Sequence, residues 1–295
     1  MQELRGMPVA KSLREALSQE ILRLKESGTV PRLAIVRVGE REDDLSYERG
    51  VYRQFEAAGA QAETTALPET VSQRELEDTV RRLDENEDVD GILLFRPLPG
   101  HLDEAAVCSL ISKRKDIDCM TPMGAAHIFV GDKEGHPPCT PQAVMELLSY
   151  YGVDLTGRRV TVVGRSMVVG RPLAMLLLQK NATVTICHSK TENLAEECRR
   201  ADILIVCAGV PEMITKEYMR EGQIIVDVGI HAKGDGLCGD VKYEHAREIA
   251  GKVTPVPGGV GSVTTVVTPP MNRISLTQQT SLMLAVPISA VPEPT

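Results

Sequence analysis

Hydrophobic positions along this chain switch repeatedly between a helical period and the short apolar runs of buried strands. Val9, Leu13, Ala16, Leu17, Ile21, Leu22 and Leu24 recur at helical spacing with Lys and Arg on the other face, which predicts an amphipathic surface helix from Val9 to Glu26. The pattern then predicts a strand over 31–39, a helix over 46–60 ended by Gly59, and a second strand over 62–67. A helix over 72–86 follows, carrying Leu76, Val80 and Leu83. Gly91-Ile-Leu-Leu-Phe95 is a buried strand stopped by Arg-Pro-Leu-Pro, and 103–111 is a short helix. Lys115-Asp-Ile-Asp118 leads into a loop-rich passage around Thr121-Pro-Met-Gly124. Strand and helix alternate throughout, as in a parallel α/β sheet.

Pro137-Pro-Cys-Thr-Pro141 is a stiff connector before a helix over 142–151, and the domain boundary is placed there: residues 1–139 form one domain and 140–268 a second. Five apolar runs, at 159–163, 183–187, 203–207, 224–228 and 252–254, are spaced for a Rossmann-like sheet, with helices expected at 171–180, 192–200 and about 215–220. Val256 to Thr264 is glycine-rich, followed by a weak helix or an extended piece. Residues 269–295 are expected to be a poorly ordered tail or a segment packed back on the first domain.

Composition narrows the function class. With 295 residues and 42% hydrophobic content, both domains have material for a core. A net charge of -8 and 3% aromatic residues argue against a nucleic-acid partner. No apolar run approaches the roughly 20 residues that span a bilayer, so a membrane partner is not expected and the default compartment is the cytoplasm. The seven cysteines are scattered, which fits reduced thiols. His136-Pro-Pro-Cys139 is the one metal-like spacing, but it lacks two further ligands, and no metal is expected.

The richest local signal is Val160 to Pro172, where a β-branched strand runs into Gly164-Arg-Ser-Met-Val-Val-Gly170 and then a helix. Such a turn is either a phosphate site at a helix N-terminus or a tight βα connection. The end of the next strand, Cys187-His-Ser-Lys190, weighs toward a cofactor. NAD enzymes place Asp or Glu there, roughly 20 residues after the turn. A carboxylate would repel a 2′-phosphate, whereas Arg165 can fork onto one and Ser189 can donate to it, so NADP is favoured over NAD.

Several motifs together resemble the methylenetetrahydrofolate dehydrogenase/cyclohydrolase family: Gly-Arg-Ser-x-x-Val-Gly-x-Pro at 164–172, Pro-Cys-Thr-Pro at 138–141, Ala-Thr-Val-Thr-x-Cys-His-Ser at 182–189, Asp-Val-Gly-Ile at 227–230, Gly-Asp-Val at 239–241 and Thr-Pro-Val-Pro-Gly-Gly-Val-Gly at 254–261. The resemblance implies an N-terminal α/β catalytic domain, a C-terminal Rossmann domain, a tetrahydrofolate one-carbon derivative in the cleft between them and a homodimer built through the Rossmann halves. It assigns Gly164, Arg165, Ser166, Ser189 and Ile230 to NADP. Tyr47, Asp118, Pro257, Gly258, Gly259 and Gly261 are assigned to folate. Taken alone, Tyr47 could equally be a half-buried helix residue, Asp118 a loop-capping carboxylate and the glycines plain turns.

Departures from the family pattern concentrate in the N-terminal half. The family's Tyr-x-x-x-Lys keeps Tyr47, but its Lys is Val51, and the Ser three before the Tyr is Asp44. Its Val-Gln-Leu-Pro-Leu-Pro is Leu94-Phe-Arg-Pro-Leu-Pro99, so the Gln is Phe95. The Gly-Phe after Asp118 is Cys119-Met120, the family's Asn and Arg in the following loop are Gly124 and His127, and the Pro-Met after the glycines is Ser262-Val263. Joint loss of Lys and Gln is coherent, because either alone would leave a buried polar group without its partner. Hydride transfer to nicotinamide needs no protein base, whereas hydrolysis of the methenyl product needs a group to handle protons. The expectation is an NADP-dependent methylenetetrahydrofolate dehydrogenase with weak or absent cyclohydrolase activity. Asp44, Arg49 and Arg53 are the charged residues near enough in sequence to substitute, and an Arg is a poor base. The alternatives are a folate- or nucleotide-binding regulatory subunit, and a dehydrogenase for a related one-carbon pterin.

Overall fold

The computed structural model describes residues 1–131, 136–234, 236–264 and 266. The expected tail over 269–295 lies outside the described residues. In chain order the elements are β1 (Gln2–Glu3), α1 (Gly6–Glu26), β2 (Arg32–Val38), α2 (Glu42–Ala58), β3 (Gln61–Leu67), α3 (Gln73–Glu85), β4 (Gly91–Leu94), α4 (Glu104–Cys108), α5 (Pro122–Val130) and α6 (Cys139–Tyr150). Then come β5 (Arg159–Val163), α7 (Gly170–Gln179), β6 (Thr183–Cys187), α8 (Leu194–Arg200), β7 (Ile203–Val206), a 3-10 turn (Lys216–Tyr218), β8 (Ile224–Asp227), β9 (His231–Lys233), β10 (Gly236–Cys238), α9 (Tyr243–Ile249), β11 (Lys252–Val253) and α10 (Val260–Thr264). No helix among the described residues is long and apolar enough to cross a membrane.

The described residues divide into two compact units. One is Leu13–Pro138 with Val266; the other joins Met1–Ser12 to residues 139–264. The sequence places residues 1–12 with the first domain, but β1 pairs in parallel with β11, Gln2 opposite Lys252 and Glu3 opposite Val253. A two-residue strand is too short to show a period, so its partner is invisible in sequence.

In the N-terminal unit three parallel strands are ordered β3-β2-β4. Its core gathers Ala34, Val36 and Val38 of β2, Leu76 and Val80 of α3, Ile92 and Leu94 of β4, and Val107 of α4. The helix expected over 46–60 begins earlier, at Glu42. Glu42, Asp43 and Asp44 in its first turn suit the positive end of the helix dipole. Gly59, left-handed at φ 81°, closes it as expected. The passage expected to be loop contains α5 instead. Thr121 accepts the Gly124 N–H at 2.8 Å, Pro122 sits in the first turn and Gly131 closes the helix, so residues that signal loops serve here as caps.

The C-terminal unit holds a six-stranded parallel sheet ordered β1-β11-β8-β7-β5-β6. Cys198, Leu204, Val206, Ile225, Val241 and Val253 pack in its core. The expected helix near 215–220 is a single 3-10 turn, and the hairpin β9–β10 and helix α9 are not foreseen by the hydrophobic pattern.

Lys115 is buried at the end of α3, where its ammonium donates to the carbonyls of Leu83, Asp84 and Asn86. Burial lowers its pKa, but the three carbonyls and the helix C-terminus favour the charge. Lys115→Met is expected to lower stability by about 1–3 kcal/mol, the range for lost charge-assisted bonds, measured by denaturant unfolding.

Candidate active site

The sequence-predicted site residues fall into two groups, one on each unit. On the N-terminal unit, Asp44, Tyr47 and Val51 lie at helical spacing on one face of α2. Val51 is completely buried and Tyr47 is half-buried. Phe95, 5% exposed, follows β4, its N–H bonded to the Val36 carbonyl at 2.9 Å. The Tyr47 and Phe95 rings meet edge to face with centroids 4.9 Å apart. Tyr47 thus has an aromatic neighbour within its own unit.

The three charged residues singled out as near enough in sequence to Val51 to substitute, Asp44, Arg49 and Arg53, are either exposed or already paired. Arg49 and Arg53 are exposed. Asp44 is held in a two-pronged ion pair by Arg41, at 2.8 and 2.9 Å. Sequence reasoning missed two other cations at this end of the sheet. Arg37, 6% exposed on β2, donates Nε to Glu48 Oε2 at 2.8 Å and Nη1 to the Gly39 carbonyl. Arg96, next to Phe95, lies 3.7 Å from Glu104 Oε1 and 3.9 Å from Asp118 Oδ2.

Lys115-Asp-Ile-Asp118 resolves into four different jobs. Lys115 caps α3; Asp116 accepts the N–H groups of Met120 and Thr121 at 2.8 and 2.9 Å; Ile117 is core. Asp118 is half-buried beside Arg96. Gly124 lies over Asp116, and a Cβ there would come 2.7 Å from Asp116 Oδ2. Gly124 and His127 are both buried in α5, and the Cys119 thiol is pushed up to about 12 by burial, so it stays neutral.

On the C-terminal unit, Val163, Val206 and Asp227 are in register across β5, β7 and β8, with Cys187 beside Val163 on β6. The loops after these strands therefore leave the same edge of the sheet, bringing Arg165, Ser189 and Ile230 to it. The turn itself is tight. Gly164 has φ 134° and its N–H bonds the Cys187 carbonyl at 2.9 Å, while a Cβ on Gly170 would fall on the Gly164 carbonyl. Ser166 accepts the Val169 N–H at 3.1 Å, so its hydroxyl shapes the turn. Arg165, Ser189 and Ile230 are exposed. After β11 the glycine-rich stretch joins this edge: Pro257 is exposed, the Gly258 carbonyl accepts the Gly6 N–H at 2.8 Å, Gly259 is buried and Gly261 lies in α10.

Two buried carboxylates organise that edge. Asp227 accepts the N–H groups of Gly229, Asp240 and Val241 at 3.0, 3.0 and 2.9 Å. Asp240 accepts those of Ala208 and Gly209 at 2.6 and 3.0 Å and pairs with His231 Nε2 at 2.7 Å. The packing is reciprocal. A Cβ on Gly239 would fall on the Asp227 carboxylate, and one on Gly229 on that of Asp240. Burial, together with the neighbouring Asp240, pushes Asp227 up to about 7 against its three N–H donors. Cys207, beneath the same loops, is pushed up to about 12 by burial and then by Asp240, so it offers no thiolate nucleophile. Among the described residues no three His, Cys, Asp or Glu side chains gather to hold a metal ion.

Residues 4–118 match the tetrahydrofolate dehydrogenase/cyclohydrolase catalytic domain, and residues 138–278 match the NAD(P)-binding domain of the same family. The chain belongs to this family. Among curated family members, the protein named Bifunctional protein FolD of Clostridioides difficile is 48% identical over 265 residues, covering 90% of this chain and 92% of its own. That of Carboxydothermus hydrogenoformans is 47% identical, covering 90% and 94%. The crystal structure of the bifunctional enzyme FolD from Campylobacter jejuni superposes with a TM-score of 0.86 at 35% identity, covering 90% of this chain and 94% of that one. The Trypanosoma brucei dehydrogenase-cyclohydrolase, solved with NADP cofactor and inhibitor, gives 0.80 at 37%, covering 88% and 92%.

In this family member the motifs Asp-Val-Gly and Gly-Asp are thus two halves of one clasp. Gly239→Ala is expected to cost more than about 3 kcal/mol, since neither backbone nor a buried carboxylate can give way, whereas Gly236→Ala, whose nearest neighbour would be 3.7 Å off, should be near neutral in the same unfolding experiment.

Proposed function

We propose that the chain oxidises 5,10-methylenetetrahydrofolate to the methenyl form with NADP. One observation carries the cofactor half: Arg165 and Ser189 stand on adjacent loops at the strand-end edge, and the end of β6 from Cys187 to Lys190 carries no carboxylate. The turn closed by Gly164 and Gly170 and the N–H groups opening α7 suit a pyrophosphate. When bound, NADP supplies the hydride acceptor. The chain's task is to bind and orient: Arg165, Ser189 and Ile230 hold the dinucleotide, and Tyr47, Asp118, Pro257, Gly258, Gly259 and Gly261 hold the folate. The NADP-containing relative and the family match support this reading.

The finer reading is that hydrolysis of the methenyl product is weak or absent. Its support is local: both positions that hold the family's polar pair are apolar and buried, Val51 at 0% and Phe95 at 5% exposure. The bifunctional names of the relatives weigh against it. A homodimer through the C-terminal unit is proposed on the edge position of β6, where Ile186 is exposed, and on exposed Leu178 of α7. A reducing, cytoplasmic setting is proposed from the scattered spacing of the seven cysteines, which suits free thiols.

A spectrophotometric assay reading NADPH and the methenyl species separately tests both claims. NADPH formation with methenyl accumulation is expected; no NADPH with either NADP or NAD sinks the dehydrogenase reading, and methenyl decay much faster than in buffer sinks the account of Val51. Restoring Val51→Lys with Phe95→Gln should introduce hydrolysis while lowering the melting temperature, because a cation enters a fully buried site and the Tyr47 ring contact is lost. In light scattering, Ile186→Lys should shift the protein from dimer to monomer.

A further inference from the structure

Arg96 stands in the same segment as Phe95 and reaches two carboxylates. Its guanidinium lies 3.7 Å from Glu104 Oε1 and 3.9 Å from Asp118 Oδ2. Glu104 is itself fixed, since its other oxygen accepts the Leu98 N–H at 3.0 Å. A chain of contacts therefore runs from the backbone at Leu98 through Glu104 and Arg96 to Asp118. The Arg96 side chain is 30% exposed and both pairs exceed hydrogen-bond length, so they contribute little to stability. What the chain of contacts does is set position: one residue away, Phe95 braces Tyr47.

Asp116 and Asp118 contrast sharply. Asp116 is turned onto two backbone N–H groups and belongs to the scaffold, while Asp118 is half-buried against a side-chain cation. A carboxylate oriented by a guanidinium is an acceptor for a paired N–H donor such as the amino-pyrimidinone edge of a pterin. We propose that Arg96 is a substrate-positioning residue, holding the Asp118 carboxylate oriented toward the pterin of the folate. This rests on the folate reading above. Arg96 is permanently protonated and so acts through charge and geometry, with no proton transfer of its own.

The test is a double-mutant cycle with Arg96→Leu, Asp118→Asn and the pair, with Arg96→Lys as the conservative variant. Readouts are tetrahydrofolate affinity by anaerobic calorimetry, KM and kcat for methylenetetrahydrofolate, and KM for NADP. Arg96→Leu should weaken tetrahydrofolate binding and raise the folate KM about ten-fold, the scale of one charge-assisted bond, with kcat and the NADP KM changed less than about two-fold. Arg96→Lys should recover most of that loss, and in the Asp118→Asn background Arg96→Leu should cost almost nothing further. Unchanged tetrahydrofolate affinity in Arg96→Leu, an equal loss in both backgrounds, or an equal rise in the NADP KM overturns the proposal. A wild-type protein that binds NADP but not tetrahydrofolate instead overturns the folate reading on which it rests. Since Arg96 is partly exposed, all four variants are expected to melt within a few degrees of the wild type, and a loss traced to unfolding would count against a positioning role.

Discussion

Asp227 and Asp240 are two buried carboxylates that take their hydrogen bonds from backbone N–H groups of three different loops. A parallel sheet delivers its strand ends to one edge, but the loops leaving that edge have no ladder to satisfy their amides. Without such acceptors the loops after β7 and β8 would have buried donors to pair and several ways of pairing them. The reciprocal seating of each carboxylate against the other motif's glycine removes those alternatives. The loop that carries Ile230 is shaped by this clasp, and the burial that makes it rigid is also what raises the Asp227 pKa.

The N-terminal unit follows a different logic. Its strand ends carry ion pairs: Arg37 with Glu48, Arg41 with Asp44, and Arg96 between Glu104 and Asp118. The interior of α2 against the sheet is apolar, with Val51 and Phe55 fully enclosed and the Tyr47–Phe95 ring pair beside them. Apolar packing around α2 therefore lies beside paired arginines, of which Arg37 is buried and Arg41 and Arg96 are partly exposed. The two cations that are buried among the described residues of this unit are both paired, Arg37 with Glu48 and Lys115 with three carbonyls, which offsets their desolvation cost.

Much of the fold was legible because it repeats. The strands at 159–163 and 183–187 and the helix cap at Gly59 stand where the apolar periods and glycine place them. Thr121-Pro122 reads as loop in the sequence because Thr, Pro and Gly mark turns and helix ends alike, and only the helix that follows distinguishes the two. β1 and the β9–β10 hairpin were missed because strands of two or three residues carry no period. In the candidate site, Tyr47, Asp118 and Arg165 could be named from motif resemblance, whereas Arg96 carried no signal of its own beyond its place beside Phe95.

The amino-acid sequence by itself determined the alternation of strand and helix, the glycine turn at 164–170, the run Cys187 to Lys190 without an acid at the end of β6, and the apolar side chains at Val51 and Phe95, since each is a local property of neighbouring residues. Only the tertiary structure decided which carboxylates are turned onto backbone N–H groups and which meet a side-chain cation. Asp116, Asp118, Asp227 and Asp240 look alike as letters; they differ in what reaches them, and Asp240 meets the Ala208 amide across 32 positions of chain. A hydrogen-bond partner is chosen by proximity after folding, so the role of a carboxylate is a long-range fact even when the motif that holds it is short.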